Sequence, residues 1–246
     1  MDIDYSRFTS FVNKVCDSNN LSYFKNHPNF TDILEHVSPE QGAMYLHYIR
    51  TMTTVTDEQI TDFAALNDSV GAPTKVTYES MNLSPSNLRY VLHAHLILTH
   101  IQTLSKTEGV DLVEVGGGYG GLCLAIHKFA PNYNVKINSY TIVDLPEIGR
   151  LQSLFFNRID PTLSVSIVDA TTYGSTIPQT DLFLISNYCF SEISGTNQAE
   201  YRKNLFPKVS HGFMAWNMIP LYDFGFPCRV EEEYPKTGPN NYYVRF

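Results

Sequence analysis

The sequence predicts an α/β protein: a mostly parallel sheet flanked by helices, preceded by a helical extension. Three observations predict it. Apolar residues keep near-helical spacing up to about residue 105, and after Gly109 short apolar runs alternate with helix-length stretches and Gly/Pro/Asn turns. Strands separated by helix-length spacers imply βαβ units and a parallel sheet. Residues 111–129 read as a strand, a glycine-rich turn and a helix in succession.

The elements follow in order. Ile3, Phe8, Phe11, Val12 and Val15 mark a first helix over residues 3–17. Ser38-Pro39-Glu40-Gln41 reads as an N-cap with proline at the first helical position. Ile60, Phe63, Ala64 and Leu66 mark a helix over 57–67, ended by Gly71-Ala72-Pro73. Ser84-Pro85 starts a long helix to about Leu104, and the segment 77–82 before it reads as a linker that could touch a ligand through Tyr78. Candidate strands are Leu112–Val115, Tyr140–Val143, Val165–Val168, Leu182–Ser186 and Gly212–Trp216. Two late strands, Arg229–Tyr234 and Tyr242–Phe246, lack room for a crossover helix, and Pro235–Pro239 joins them as a hairpin-type connection. The division is therefore a helical extension over 1–105, expected as a lid or a homo-oligomer contact, and a ligand-binding domain over 106–246.

Composition narrows the function. The chain has 246 residues, 43 % hydrophobic and 17 % charged, which suits a packed core and not disorder. With 17 Lys and Arg against 25 Asp and Glu the net charge is −8, a poor balance for binding nucleic acid. The four cysteines (Cys16, Cys123, Cys189 and Cys228) form no C-x-x-C pair, so reduced thiols are expected. The opening MDIDYSRF has no apolar core of a signal peptide, and no apolar run reaches a membrane span. A cytoplasmic protein without membrane contact is the expectation.

The glycine turn carries the chemistry. Gly116, Gly118 and Gly121 fit the dinucleotide pattern G-x-G-x-x-G, while Gly116, Gly118 and Gly120 fit G-x-G-x-G, the first motif of S-adenosylmethionine (SAM) methyltransferases. Glycines let backbone approach a ligand, and the following helix N-terminus offers free N–H groups. Glu114 lies two residues before the first glycine, Asp144 ends the second strand where it can accept from ribose hydroxyls, and Asp169-Ala170 follows the third. Acids at three successive strand ends favour SAM over NAD. Asp144 read as an N-cap and Asp169 read as a turn residue are the plainer alternatives.

The strings VEVGGGYGG (113–121), YTIVDLPEIGRLQSLFF (140–156) and DLFLISNYCFSEIS (181–194) together resemble the sugar O-methyltransferase family. Its E-x-G-x-G-x-G loop, D-L-P and S-N-x-x-F-S-E segments all occur in order over residues 109–220, and NNYYVRF is similar to its last strand. The resemblance implies a Rossmann-like, seven-stranded SAM-methyltransferase sheet in the order 3-2-1-4-5-7-6, with strand 7 antiparallel. It implies SAM as cofactor, held by Glu114, Gly116, Gly117, Gly118, Tyr119, Gly120, Asp144, Leu145, Asp169, Ala170 and Asn187. The acceptor it implies is a small-molecule sugar or nucleotide-sugar.

Methyl transfer to a hydroxyl calls for a base, and two residues are candidates. Glu192 follows the fourth strand on an apolar-flanked loop; its plainer reading is a helix cap or a pair with Arg202. His93 lies on the helix before the glycine turn, where its plainer reading is a core histidine. Tyr188, Ser191 and Tyr78 are candidate acceptor contacts, and Arg89, Arg150 and Lys203 are cations that could hold a diphosphate. Glu231-Glu232-Glu233 reads as a solvated strand or turn and not as a metal site, and no metal is expected. Competing readings are a methyltransferase for another small molecule, an NAD-dependent oxidoreductase, and a non-catalytic SAM-binding scaffold.

Overall fold

The computed structural model describes residues 5–246, so Ile3 lies outside the described residues. Helices α1 (Ser6–Asp17), α2 (Pro28–Thr31), α3 (Pro39–Met52) and α4 (Asp57–Asn67) come first. Capping boxes start two of them: Ser38 with Gln41 opens α3, and Thr56 with Gln59 opens α4. The segment read as a linker is a hairpin, β1 (Val76–Tyr78) and β2 (Met81–Leu83), too short to show strand periodicity. Helix α5 (Pro85–Thr103) then leads into the sheet.

The remaining elements are β3 (Val110–Val115), α6 (Gly121–Phe129), β4 (Ile137–Asp144), α7 (Pro146–Ile159), β5 (Ser166–Asp169), β6 (Leu182–Asn187), α8 (Gly195–Asn204), β7 (Val209–Trp216), β8 (Arg229–Glu232) and β9 (Tyr242–Arg245). The sheet order is β5-β4-β3-β6-β7-β9-β8. Counted from β3, this is 3-2-1-4-5-7-6, as expected. Strands β3 to β7 pair in parallel, while β9 runs antiparallel to both neighbours.

Side chains alternate across the sheet with the strand period of two. Leu112, Ile142, Phe183, Phe213 and Tyr243 face α5 and α6 and pack in one cluster with Phe8, Phe30, Tyr45 and Phe63 of the first four helices. Val113, Val143, Leu184, Met214 and Val244 face the other way, with Tyr201 of α8 and Leu205 beyond it. The extension therefore shares its core with one face of the sheet. Among the described residues, no helix is long and apolar enough to cross a membrane.

Candidate active site

A cleft of about 780 Å³ opens at the carboxyl ends of β3, β4 and β6. Ligands bind there in open parallel sheets because the strand order reverses and the loops diverge. Between β3 and β6 the connections leave in opposite directions, so Gly116–Gly118, Asp144-Leu145 and Asn187–Cys189 meet on one wall. Tyr5 and Phe8 at the start of α1, Leu34 in the loop after α2, and Tyr45 of α3 form the facing wall.

The glycine turn is shaped by its neighbours. Gly116 has φ +78°, and a Cβ there would collide with the Cys189 sulfur. Gly120 abuts the Phe156 ring with equally little room. Gly120 and Tyr119 do not line the cleft, contrary to expectation. Tyr119 is only 1 % exposed, packs edge-on against Phe24, Tyr90 and Phe155, and accepts a hydrogen bond from Asn67 Nδ2 at 3.0 Å. It braces the turn from behind because its large ring is worth more buried than wet.

Two of the three acids converge. Glu114 is 2 % exposed, and the Tyr140 hydroxyl donates to its Oε2 at 2.8 Å. Burial pushes its carboxyl up to about 7, with Asp144 adding to the rise. Asp144 is likewise raised by burial to about 7, against the opposing effect of its hydrogen bonds. Leu145 N donates to Oδ1 at 2.8 Å and Gln152 Nε2 to Oδ2 at 3.0 Å. The same Gln152 nitrogen reaches Gly118 O at 2.7 Å, tying the acid to the glycine turn. Asp169 is not brought in. It is exposed, and its Oδ1 accepts from Thr171 N and Oγ1, each at 2.8 Å, capping the turn Ala170–Thr172. Ala170 and Thr171 line the cleft in its stead.

Both base candidates line the cleft, with different partners. Asn187 Nδ2 donates to His93 Nδ1 at 2.9 Å, which places the ring proton on Nε2. Asn187 Oδ1 is buried and has no partner. His93 is buried beside Tyr45, Tyr188 and Tyr243, and burial, then the Arg89 charge, push its pKa down to about 3. Glu192 pairs not with Arg202 but with Asn217 Nδ2 at 2.6 Å and the Tyr5 hydroxyl at 3.1 Å. Burial raises its pKa, and those two donors lower it.

The acceptor-side expectations divide. The Tyr188 ring lines the cleft, but its hydroxyl donates to Glu233. Glu233 is itself buried and accepts from Asn241 Nδ2 at 2.9 Å and Thr237 N at 2.8 Å, so the acidic triplet is not a solvated strand throughout. Ser191 lies off the wall, donating to Asn217 Oδ1 at 2.5 Å, and so positions the partner of Glu192. Tyr78 is a corrected expectation: it sits in β1 with its hydroxyl on Pro39 O at 3.0 Å, away from the cleft. Arg150 is also elsewhere, on Asp17 of α1 at 2.6 Å. Tyr5, Tyr45, Cys189 and Asn217 line the cleft without having been singled out. Among the described residues, no group of three His, Cys, Asp or Glu is placed to hold a metal.

No protein-family model and no curated relative matches the chain. Solved structures with a similar fold include the pyocyanin biosynthetic protein PhzM, with 14 % identity and TM-score 0.44 over 65 % of this chain and 56 % of that one. A SAM-dependent methyltransferase from Clostridium acetobutylicum has 11 % identity and TM-score 0.39, over 73 % and 58 %. The plantazolicin methyltransferase BpumL, solved with S-adenosylhomocysteine (SAH), has 13 % identity and TM-score 0.37, over 86 % and 61 %. The chain thus spans little more than half the length of these neighbours.

Proposed function

We propose that this chain is a SAM-dependent O-methyltransferase acting on a hydroxyl of a sugar or nucleotide-sugar. The sheet order, with the cleft at its reversal point, is the observation that carries the reading. Dinucleotide-binding sheets run 3-2-1-4-5-6, whereas here an antiparallel strand separates the fifth from the sixth. Asp169, outside the cleft, no longer distinguishes SAM from NAD; topology does.

The residues present fit the cofactor. Asp144, on the wall at the end of β4, suits a ribose diol, and Gly116–Gly118 give backbone access beside it. The orphaned Asn187 Oδ1 suits a hydroxyl or ammonium donor. When bound, SAM supplies an electrophilic methyl group on a sulfonium. Leu122, Leu145 and Ile148 offer an apolar surface for a flat ring near Asp144.

Glu192 is the base that fits the remaining chemistry. Its raised pKa brings it closer to working pH than an ordinary carboxylate, and it faces the cleft. His93 is the weaker choice: protonating a group of pKa about 3 at neutral pH costs about 5 kcal/mol. It serves instead to hold Asn187. The wall beyond Glu192 is polar, with Gln41 beside Asn217, Thr237 and Asn241, which are held by Glu192 and Glu233; such a wall suits a polyhydroxyl acceptor more than a phenol. Residues 5–45 of the extension, in this reading, cover the acceptor.

Isothermal titration of SAM, SAH and NAD into wild type and Asp144→Ala tests the cofactor. Binding of SAM and SAH, lost in the variant, is expected. NAD binding without SAH binding refutes the proposal.

A further inference from the structure

Arg89 is 8 % exposed, yet no carboxylate among the described residues forms an ion pair with it. Its Cζ lies 5.7 Å from the Tyr90 ring centroid and 5.8 Å from that of Tyr188. The Tyr90 hydroxyl is a hydrogen-bond partner, but one hydroxyl leaves most of five N–H donors unused. A guanidinium is always charged, and a buried charge is normally paired. This one faces the cleft, where it is the one Arg or Lys on the wall among the described residues.

Its position is specific. Arg89 and His93 are four residues apart on α5, hence on one helical face about 6 Å apart along the axis. His93 holds Asn187, and Gln41 and the unpartnered Tyr45 hydroxyl also line this end. The charge of Arg89 bears on His36, Tyr45, His93 and Tyr188. Glu114 and Asp144 thus stand at the glycine turn, while Arg89 is the guanidinium at the other end of the cleft, which also holds the Glu192 carboxylate. Glu35 acts on Arg89 through space but makes no ion-pair contact with it, so the guanidinium N–H donors stay free of any carboxylate among the described residues.

We propose that Arg89 is the anion-recognition residue of the acceptor half of the cleft, so that the methyl acceptor is an oxyanion-bearing sugar, carrying a phosphate or a carboxylate. A guanidinium matches both groups through paired N–H donors. The proposal rests on the methyltransferase reading above and narrows its acceptor.

The test is titration of SAH-loaded protein with UDP-glucose, glucose 1-phosphate, glucuronate and neutral glucose, on wild type, Arg89→Lys and Arg89→Met. At least one anionic sugar is expected to bind the wild type, with glucose at least tenfold weaker. Arg89→Met loses that preference, Arg89→Lys keeps part of it, and both variants bind SAH as the wild type does, which also shows that they are folded. Phosphate and carboxylate sources separate by which ligand binds. The proposal is overturned if no anion binds, if glucose binds equally, or if Arg89→Met keeps the preference. It is also overturned if Arg89→Met loses SAH while keeping 5′-methylthioadenosine, which lacks the amino acid moiety; the cation would then belong to the cofactor. Wild-type protein that binds no SAH refutes the methyltransferase reading itself.

Discussion

In the proposed reading a ribose diol donates to an ionised Asp144, so cofactor affinity should fall in acid, because the free protein holds that group at about 7. Ligand binding favours the ionised form, so it releases a proton below that pH. At about pH 5.5 the carboxylate is about 3 % ionised, a deficit of about 1.5 pH units. At roughly 1.4 kcal/mol per unit this removes about 2 kcal/mol, near thirtyfold in SAH affinity relative to about pH 8. Glu114 titrates in the same range and interacts with Asp144, so the two form a coupled pair. Glu114→Gln removes one of them and should leave a shallower slope. Asp144→Asn should bind SAH weakly and with little pH dependence. The assay is SAH titration calorimetry between about pH 5.5 and pH 8 in two buffers of different ionisation enthalpy, which counts the protons. A flat affinity and no proton release in the wild type would refute the assignment of Asp144 to the cofactor.

Other outcomes follow from the same geometry. Glu192→Gln should lower kcat by about 10²–10⁴ with SAH affinity unchanged, read by methyl transfer to whichever sugar binds. Tyr5→Phe removes a donor that stabilises the Glu192 carboxylate at 3.1 Å, so the acid limb of the kcat profile should move to higher pH. For the free protein the sign reverses: a buried carboxyl raised to about 7 binds protons more tightly folded than unfolded, so its contribution to stability is lost as pH rises from about 4 to 7. Asp144→Asn should therefore raise the free protein's stability near pH 8, by about 4 kcal/mol at most, in urea unfolding. Asn67→Ala should cost about 2–4 kcal/mol in the same assay, because Asn67 Oδ1 accepts from the buried Lys25 ammonium at 3.1 Å while its amide reaches Asn87 and Tyr119.

The strands of the sheet were legible because each joins an apolar run to a turn signal; Leu182–Ser186 and Gly212–Trp216 both fall inside observed strands. The hairpin at Val76–Leu83 was not, since three residues per strand display no period. The place of Glu114, Asp144 and Gly116–Gly118 on the cleft wall was legible because a turn and two strand ends fix them in sequence. The same adjacency placed Tyr119 and Asp169 on the wall, which they do not line. A residue beside a ligand-facing one can point the opposite way, as the Tyr119 ring does into Phe24 and Phe155, or spend its oxygen on a local turn, as Asp169 does on Thr171. Tyr5 and Asn217 escaped because each reaches Glu192 only through tertiary folding, from 187 and 25 residues away. Arg89 and His93 did leave a signal, since they stand four residues apart on one face of a helix that is largely buried.

The two walls of the cleft have different origins, and this bears on how specificity is built. The glycine turn, Glu114, Asp144 and Asn187 sit on strand ends, where hydrogen bonding within the sheet fixes their backbone to neighbouring strands. The opposite wall comes from helices whose grip is packing: Phe8, Phe30 and Tyr45 join the core that backs the sheet. A substitution in α1 or α3 can therefore reshape the acceptor side without moving Asp144 or Gly116–Gly118. Glu192 lies where the two walls meet, held by Tyr5 from the helices and Asn217 from the end of β7. In the proposed mechanism, the base is fully positioned only when α1 is seated over the cleft. Its alignment and the exclusion of water from the reacting hydroxyl then depend on one and the same contact.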